Sequence, residues 1–290
     1  MPKERFHIYL ADEILSSWPG RALPATVSDR PAFHIGAVSP DIFYYDFPSF
    51  SLSPLGDALH NLLDREGTSI IGDWVQGNTA MERQGDGERG FVSASPRNLV
   101  PTSVSSWSLG FACHFLADAA WHPLIEDLSE SMGYCAAKRL SKIECHRLLE
   151  SEIEALRLPG SRSLEYTGIL KELGRRDRLF KIAAHYRRFL EFAGLGLPVP
   201  TEKKIVKCWL SQNFFLRLFA NLTLGKLRDR MLDLPFMRYL GSLVIPVRPI
   251  LPPLFARAFP QDRNPFSDYF MEQALTSLRA QLPALAKRLS

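Results

Sequence analysis

Apolar residues in this chain recur mostly at helical spacing, and runs of alternating strand character are scarce. The pattern predicts a first short helix over His7 to Ser16. A loop rich in Pro, Gly and Ser follows and contains HIGAVSPDIFYYDF (34–47). SPLGDALHNLLDRE reads as a helix with Ser53 as N-cap and Pro54 in its first turn, with room to continue through TSIIGDWVQ. Residues 76–104 are dense in Gly, Ser, Pro and charge, and a loop of that length is usually functional or disordered. A long helix is predicted from Ser105 to His122, where Pro123 ends or bends it. SKIECHRLLESEIEAL (141–156) is a further helix, with Ser141 and Glu144 as its capping box.

Beyond residue 164 the pattern stays helical but turns basic. Segments 172–192 and 201–234 are amphipathic and carry many Lys and Arg. GLGLPVP (194–200) offers a soft boundary. The expected organisation is an all-α bundle over residues 1–195, with 196–290 as a C-terminal helical extension packed on it. Basic and apolar residues interleave over 203–259, which suits a membrane surface, although a core-packed amphipathic helix with a solvated basic face gives the same pattern.

Composition excludes several classes. Of 290 residues, 46% are hydrophobic and 23% charged, as in an ordinary globular protein. A net charge of +4 is too weak alone to argue for nucleic acid. Cys113, Cys135, Cys145 and Cys208 form no C-x-x-C pair, and no disulfide framework is expected. At the N-terminus only FHIYLA precedes Asp12 and Glu13, too short for a signal peptide, so a cytoplasmic location is expected. The stretch nearest to a membrane span, 239–259, is interrupted by Arg248 and four prolines.

GFACHFLADAAWHPL (110–124) carries the chemistry. His114, Asp118 and His122 are spaced by four, so they share one face of a helix. Imidazole nitrogen and carboxylate oxygen are ligand types suited to zinc. The next helix adds His146 and Glu150 at the same spacing, and with His122 they supply two imidazoles and a carboxylate for one ion. His114 and Asp118 need partners from elsewhere; His60 on the preceding helix and Asp41 in the SPDIFYY loop are candidates. The alternative is that His114 and His122 are core histidines, yet most of the chain's 7 histidines fall in this one pattern. His34 is read as structural and His185 as a surface or interhelix residue. Cys113 and Cys145 turn about 100° away from the ligand beside each, which favours packing.

The ordered series resembles the zinc-dependent phospholipase C family, whose fold is shared with single-strand-specific zinc nucleases. It runs from His7 in FHIYLAD through Asp41 in GAVSPDIFYY and His60 in GDALH to HFLADAAWH and HRLLE, covering about residues 1–155. The resemblance implies one zinc on Asp41, His60, His114 and Asp118, and a second on His122, His146 and Glu150. Asp118 would bridge to a third together with His7. Well-known members bind that third ion through an N-terminal tryptophan, which this chain lacks. Two zincs, or a third held differently with Asp12 nearby, are the expectations.

The activity implied is phosphodiester hydrolysis by metal-activated water on a phospholipid or related substrate, with Asp41 as ligand and proton acceptor. A peripheral membrane surface is a candidate partner. A nuclease or nucleotidase is the alternative enzyme, with Phe43, Tyr44 and Tyr45 as stacking platforms. A non-catalytic zinc-stabilised protein that binds a membrane or partner is the alternative of another class.

Overall fold

In the computed structural model, residues 4–18, 24, 27–66, 69–74, 102–131, 133–157, 166–174, 177–247 and 265–289 are described. The elements are α1 (Glu4–Ser16), α2 (Arg30–Val38), a 3-10 turn (Pro40–Tyr45), α3 (Ser53–Glu66), α4 (Thr102–Ser131), α5 (Gly133–Ala137), α6 (Lys142–Arg157), α7 (Tyr166–Gly174), α8 (Arg178–Ala193), α9 (Glu202–Phe219), α10 (Leu222–Asp233), α11 (Arg238–Leu243) and α12 (Pro265–Leu289). No strand occurs among the described residues. The Gly-, Ser- and Pro-rich stretch 76–104 falls almost wholly outside them, as does part of the stretch 239–259.

Residues 105–118 of α4 are buried all round, as befits a helix at the centre of a core. α2 lies against it in backbone contact. A Cβ on Gly36 would stand 2.1 Å from the Trp107 carbonyl oxygen, and one on Gly110 would stand 1.9 Å from that of Phe33. Only glycine fits at this crossing. α1, α8, α9 and α12 close the core around the pair, and the pattern of buried Ala274, Leu275, Leu278, Leu282, Leu285 and Ala286 keeps one stripe of α12 inward.

Three expectations need correction. The stretch 34–47 is helical rather than a loop. The Asp29 side chain accepts the Ala32 N–H at 3.3 Å and Pro31 sits in the first turn, so α2 starts cleanly; Gly36 serves close packing, not turning. α4 passes through Pro123 to Ser131. Pro123 and Ala119 are both exposed, so the carbonyl deprived of its N–H faces water. Cys135 and Cys145 form a disulfide, with Cα atoms 5.7 Å apart. A spacing of ten carries no C-x-x-C signal, and only the approach of α5 to α6 brings the thiols together. The capping box of α6 is present: Ser141 N–H donates to Glu144 Oε2 at 2.8 Å, and Glu144 N–H to Ser141 Oγ at 3.3 Å.

Buried charges tie the later helices to the earlier ones. Arg5 Nη2 donates to the Leu216 carbonyl at 2.9 Å, and Arg228 of α10 pairs with Glu152 of α6, both fully buried. His34 bonds Asp12 at 2.8 Å, as a structural residue. His185 is buried between helices, where the Trp74 indole N–H donates to Nε2 at 3.3 Å. Burial pushes its pKa down to about 3, so it is neutral.

The α2–α4 crossing yields a direct test. Gly36→Ala or Gly110→Ala should lower stability by about 2–3 kcal/mol, because the added methyl meets backbone that cannot move aside. Chemical denaturation of each variant checks it, with Gly133→Ala, which meets nothing within 4 Å, as the control.

Candidate metal centre

Five elements deliver side chains to one region. α1 supplies His7, the 3-10 turn Asp41, α3 His60, α4 His114, Asp118 and His122, and α6 His146 and Glu150. All eight residues expected from the sequence meet there. They form three groups whose ligand atoms lie within 4.8 Å of one another: His7, His114 and Asp118; Asp41, His60 and His114; His122, His146 and Glu150.

Asp118 stands between the groups with its two oxygens facing different ways. Oδ1 is 3.2 Å from His7 Nε2 and 3.7 Å from His122 Nε2. Oδ2 is 3.2 Å from His114 Nε2 and 4.0 Å from His60 Nε2. Asp41 faces the same two rings, with Oδ1 3.2 Å from His60 Nε2 and Oδ2 3.9 Å from His114 Nε2. His146 Nε2 lies 3.1 Å from Glu150 Oε1.

The backbone sets two of the imidazoles. His114 Nδ1 donates to the Ala37 carbonyl at 2.8 Å, and His60 Nδ1 to the Gly56 carbonyl at 2.8 Å. Each bond fixes the tautomer and turns Nε2, with its lone pair, toward the carboxylates, as a metal-ligating histidine requires. His114 Nε2 is buried and makes no hydrogen bond. That is a costly state for a polar atom unless something else, such as a cation, fills its place. On donor chemistry and on this buried nitrogen, the residues fit zinc.

Burial grades across the site. His7, Asp41, His114, Asp118 and Glu150 are buried, whereas His60, His122 and His146 are half-buried. The half-buried side opens into a pocket of about 360 Å³, whose wall includes Asp41, Tyr44, His60, His146 and Arg147. Arg147 went unremarked in the sequence. Its guanidinium stacks 4.5 Å from the centre of the Tyr239 ring, and its Nη1 is buried without a hydrogen bond. Adjacency to His146 was the only signal for it, and such adjacency is common by chance. Asp12, considered as a ligand, is engaged by His34 and belongs to none of the three groups.

The aromatic cluster beside Asp41 is mostly internal. Phe43 is fully buried, and Tyr45 is buried with its hydroxyl donating to Glu4 Oε1 at 2.8 Å. Only Tyr44 reaches the pocket, and its hydroxyl donates to Asp57 at 2.8 Å.

No match was found among curated proteins or among solved structures. A family model described as zinc dependent phospholipase C matches residues 6–181, more than half of the 290-residue chain. The matched span contains all eight residues of the centre and, but for the first two residues of α1, the elements that present them. On that match and that all-helical framework, the chain belongs to the zinc-dependent phospholipase C family.

Proposed function

We propose that the chain is a zinc-dependent phosphodiester hydrolase acting on phospholipids. The observation that carries this reading is the convergence of five imidazoles and three carboxylates beside an open pocket, with two rings aimed by backbone carbonyls. Asp41, His60, His114 and Asp118 would hold one zinc, and His122, His146 and Glu150 would hold the second. Bound there, zinc acts as a Lewis acid toward phosphate oxygen and lowers the pKa of water toward neutrality. Asp41 accepts the proton of the attacking water at a carboxylate oxygen on the pocket wall. Arg147, on the pocket wall, would bind a non-bridging phosphate oxygen through its guanidinium, which the Tyr239 ring holds in place. Residues 1–195 carry this chemistry and 196–290 brace it.

A nuclease is less favoured, because a stacking platform needs exposed rings and, of Phe43, Tyr44 and Tyr45, Tyr44 alone lines the pocket. The disulfide supports an oxidising compartment rather than the cytoplasm. No helix among the described residues is long and apolar enough to cross a membrane. Peripheral contact has support in α9, where Leu210, Phe214 and Leu218 form an exposed apolar stripe at steps of four, with Lys207 and Arg217 also exposed.

Removing one zinc should be readable directly. His122→Ala should lower zinc content by about one ion per chain and cut phosphatidylcholine hydrolysis by more than ~100-fold, since even outer residues of such sites are worth about 10–100-fold. Cleavage of single-stranded DNA but not phosphatidylcholine by the zinc-loaded parent would reverse the order of the two enzymes. Arg147→Ala should lower kcat/KM by about 10²–10³-fold at unchanged zinc content, the scale expected when a preorganised donor to developing charge is lost. Sedimentation with anionic vesicles should fall for Phe214→Ser while hydrolysis of a short-chain monomeric substrate stays unaltered.

A further inference from the structure

The turn between α10 and α11 holds an aromatic ring in water. Among the described residues Phe236 is the most exposed large apolar side chain, at 80%. The turn is tight: Met237 N–H donates to the Leu234 carbonyl at 2.9 Å, which leaves Pro235 and Phe236 at its tip, both exposed. Leu234, Tyr239 and Leu240 are exposed beside it. Its underside is fixed, because Met237 packs in a small cluster with buried Met231, Leu243, Val244, Tyr45 and Phe219. Neighbouring apolar side chains left in water are unfavourable in the free protein, and such patches mark interaction surfaces.

Three links set this turn at the mouth of the open pocket. The Tyr239 ring stacks on Arg147, which lines the pocket. Arg238 Nη1 donates to the Arg139 carbonyl at 3.3 Å, just before the start of α6, whose Lys142 and Ile143 are on the pocket wall. Tyr44, on that wall too, packs against the same small cluster as Met237. Ile143 is itself 62% exposed, so the apolar surface reaches the rim.

The charge beside the turn is basic. Arg139 and Arg230 are exposed and Arg238 is half-buried. None of the three has an ion pair among the described residues, whereas the carboxylates of Asp233 and Glu130 pair with Lys138 and Lys142. Apolar tips flanked by arginines are complementary to a lipid surface, with an apolar layer below anionic phosphates.

We propose that the α10–α11 turn, with Ile143 and the arginines beside it, is a face that docks on an anionic phospholipid bilayer and sets the pocket mouth against it. The inference rests on the phospholipid reading above. Phe236 and Leu240 enter the interfacial layer, and Arg139, Arg230 and Arg238 meet lipid phosphates. A substrate lipid then reaches the pocket along Ile143, with little of its apolar surface crossing water.

The test uses the full zinc-loaded chain and vesicles of phosphatidylcholine with phosphatidylglycerol. Sedimentation should show the parent bound, and Phe236→Ser with Leu240→Ser should weaken binding by about tenfold or more. The double variant should lose hydrolysis of the vesicles to a similar degree while keeping its zinc and its hydrolysis of short-chain monomeric phosphatidylcholine. Phe236→Trp gives a direct readout that needs no loss of binding. The five native tryptophans are all buried, so the new ring should dominate quenching by brominated lipid. Unquenched Trp at 236 on bound vesicles overturns the proposal, as do a double variant that binds like the parent and equal binding to vesicles without phosphatidylglycerol. A double variant that breaks a dimer in light scattering but binds vesicles as before makes the face a contact between copies, and also overturns it. A parent that hydrolyses neither monomeric nor vesicle phosphatidylcholine overturns the phospholipase reading, a failure read separately from vesicle binding.

Discussion

The backbone contact between α2 and α4 is the constraint on which the rest of the structure depends. With no side chain at Gly36 or Gly110, the two helices approach until the carbonyl of one meets the Cα of the other. That approach places Ala37 O within 2.8 Å of His114 Nδ1, which turns Nε2 toward Asp41 and Asp118. The same helix then delivers Asp41. α2 runs through Ser39 into the 3-10 turn, and the junction is pinned from three sides. Trp107 Nε1 donates to Ser39 Oγ at 3.0 Å, Tyr186 OH to Ser39 O at 3.0 Å, and Gln212 Nε2 to Val38 O at 3.4 Å. A wider crossing would misplace an imidazole and a carboxylate together.

The centre is a burial gradient built on this crossing. Its floor of His7, His114, Asp41, Asp118 and Glu150 is dry, and its mouth of His60, His122 and His146 is wet. Electrostatic interactions are stronger on the dry side, where solvent screens them least. Burial raises the pKa of Glu4, which neighbours Asp41, to about 8, a measure of how hard that interior is on bare negative charge. Cations held there would relieve the interior, and the mouth is the side open to solvent.

The helices after residue 196 act on the centre through α6. Arg228 neutralises Glu152 from α10, and Tyr239 of α11 supports Arg147. Leu216 of α9 holds Arg5, which in turn leans on Glu154. Removing one member of a buried pair leaves a stranded charge, so these contacts couple the basic C-terminal helices to the placement of the α6 carboxylates.

Helix content, the capping box of α6 and the spacing of His114, Asp118 and His122 were written in the sequence, because each depends on residues within one or two turns. Asp41 and His60 could be named from residue type and position only as candidates, and the place of His7 was legible only through a family resemblance, since periodicity on one helix says nothing of which helix it will face. Gly36 looked like a loop signal because the same absence of a Cβ permits both turning and close packing, and only a neighbouring backbone tells them apart. Cys135 with Cys145, Arg147 with Tyr239, and Arg228 with Glu152 were decided by tertiary structure alone. Each is a relation between elements that no local pattern encodes, fixed when the α2–α4 crossing and the burial of α6 brought those side chains into reach.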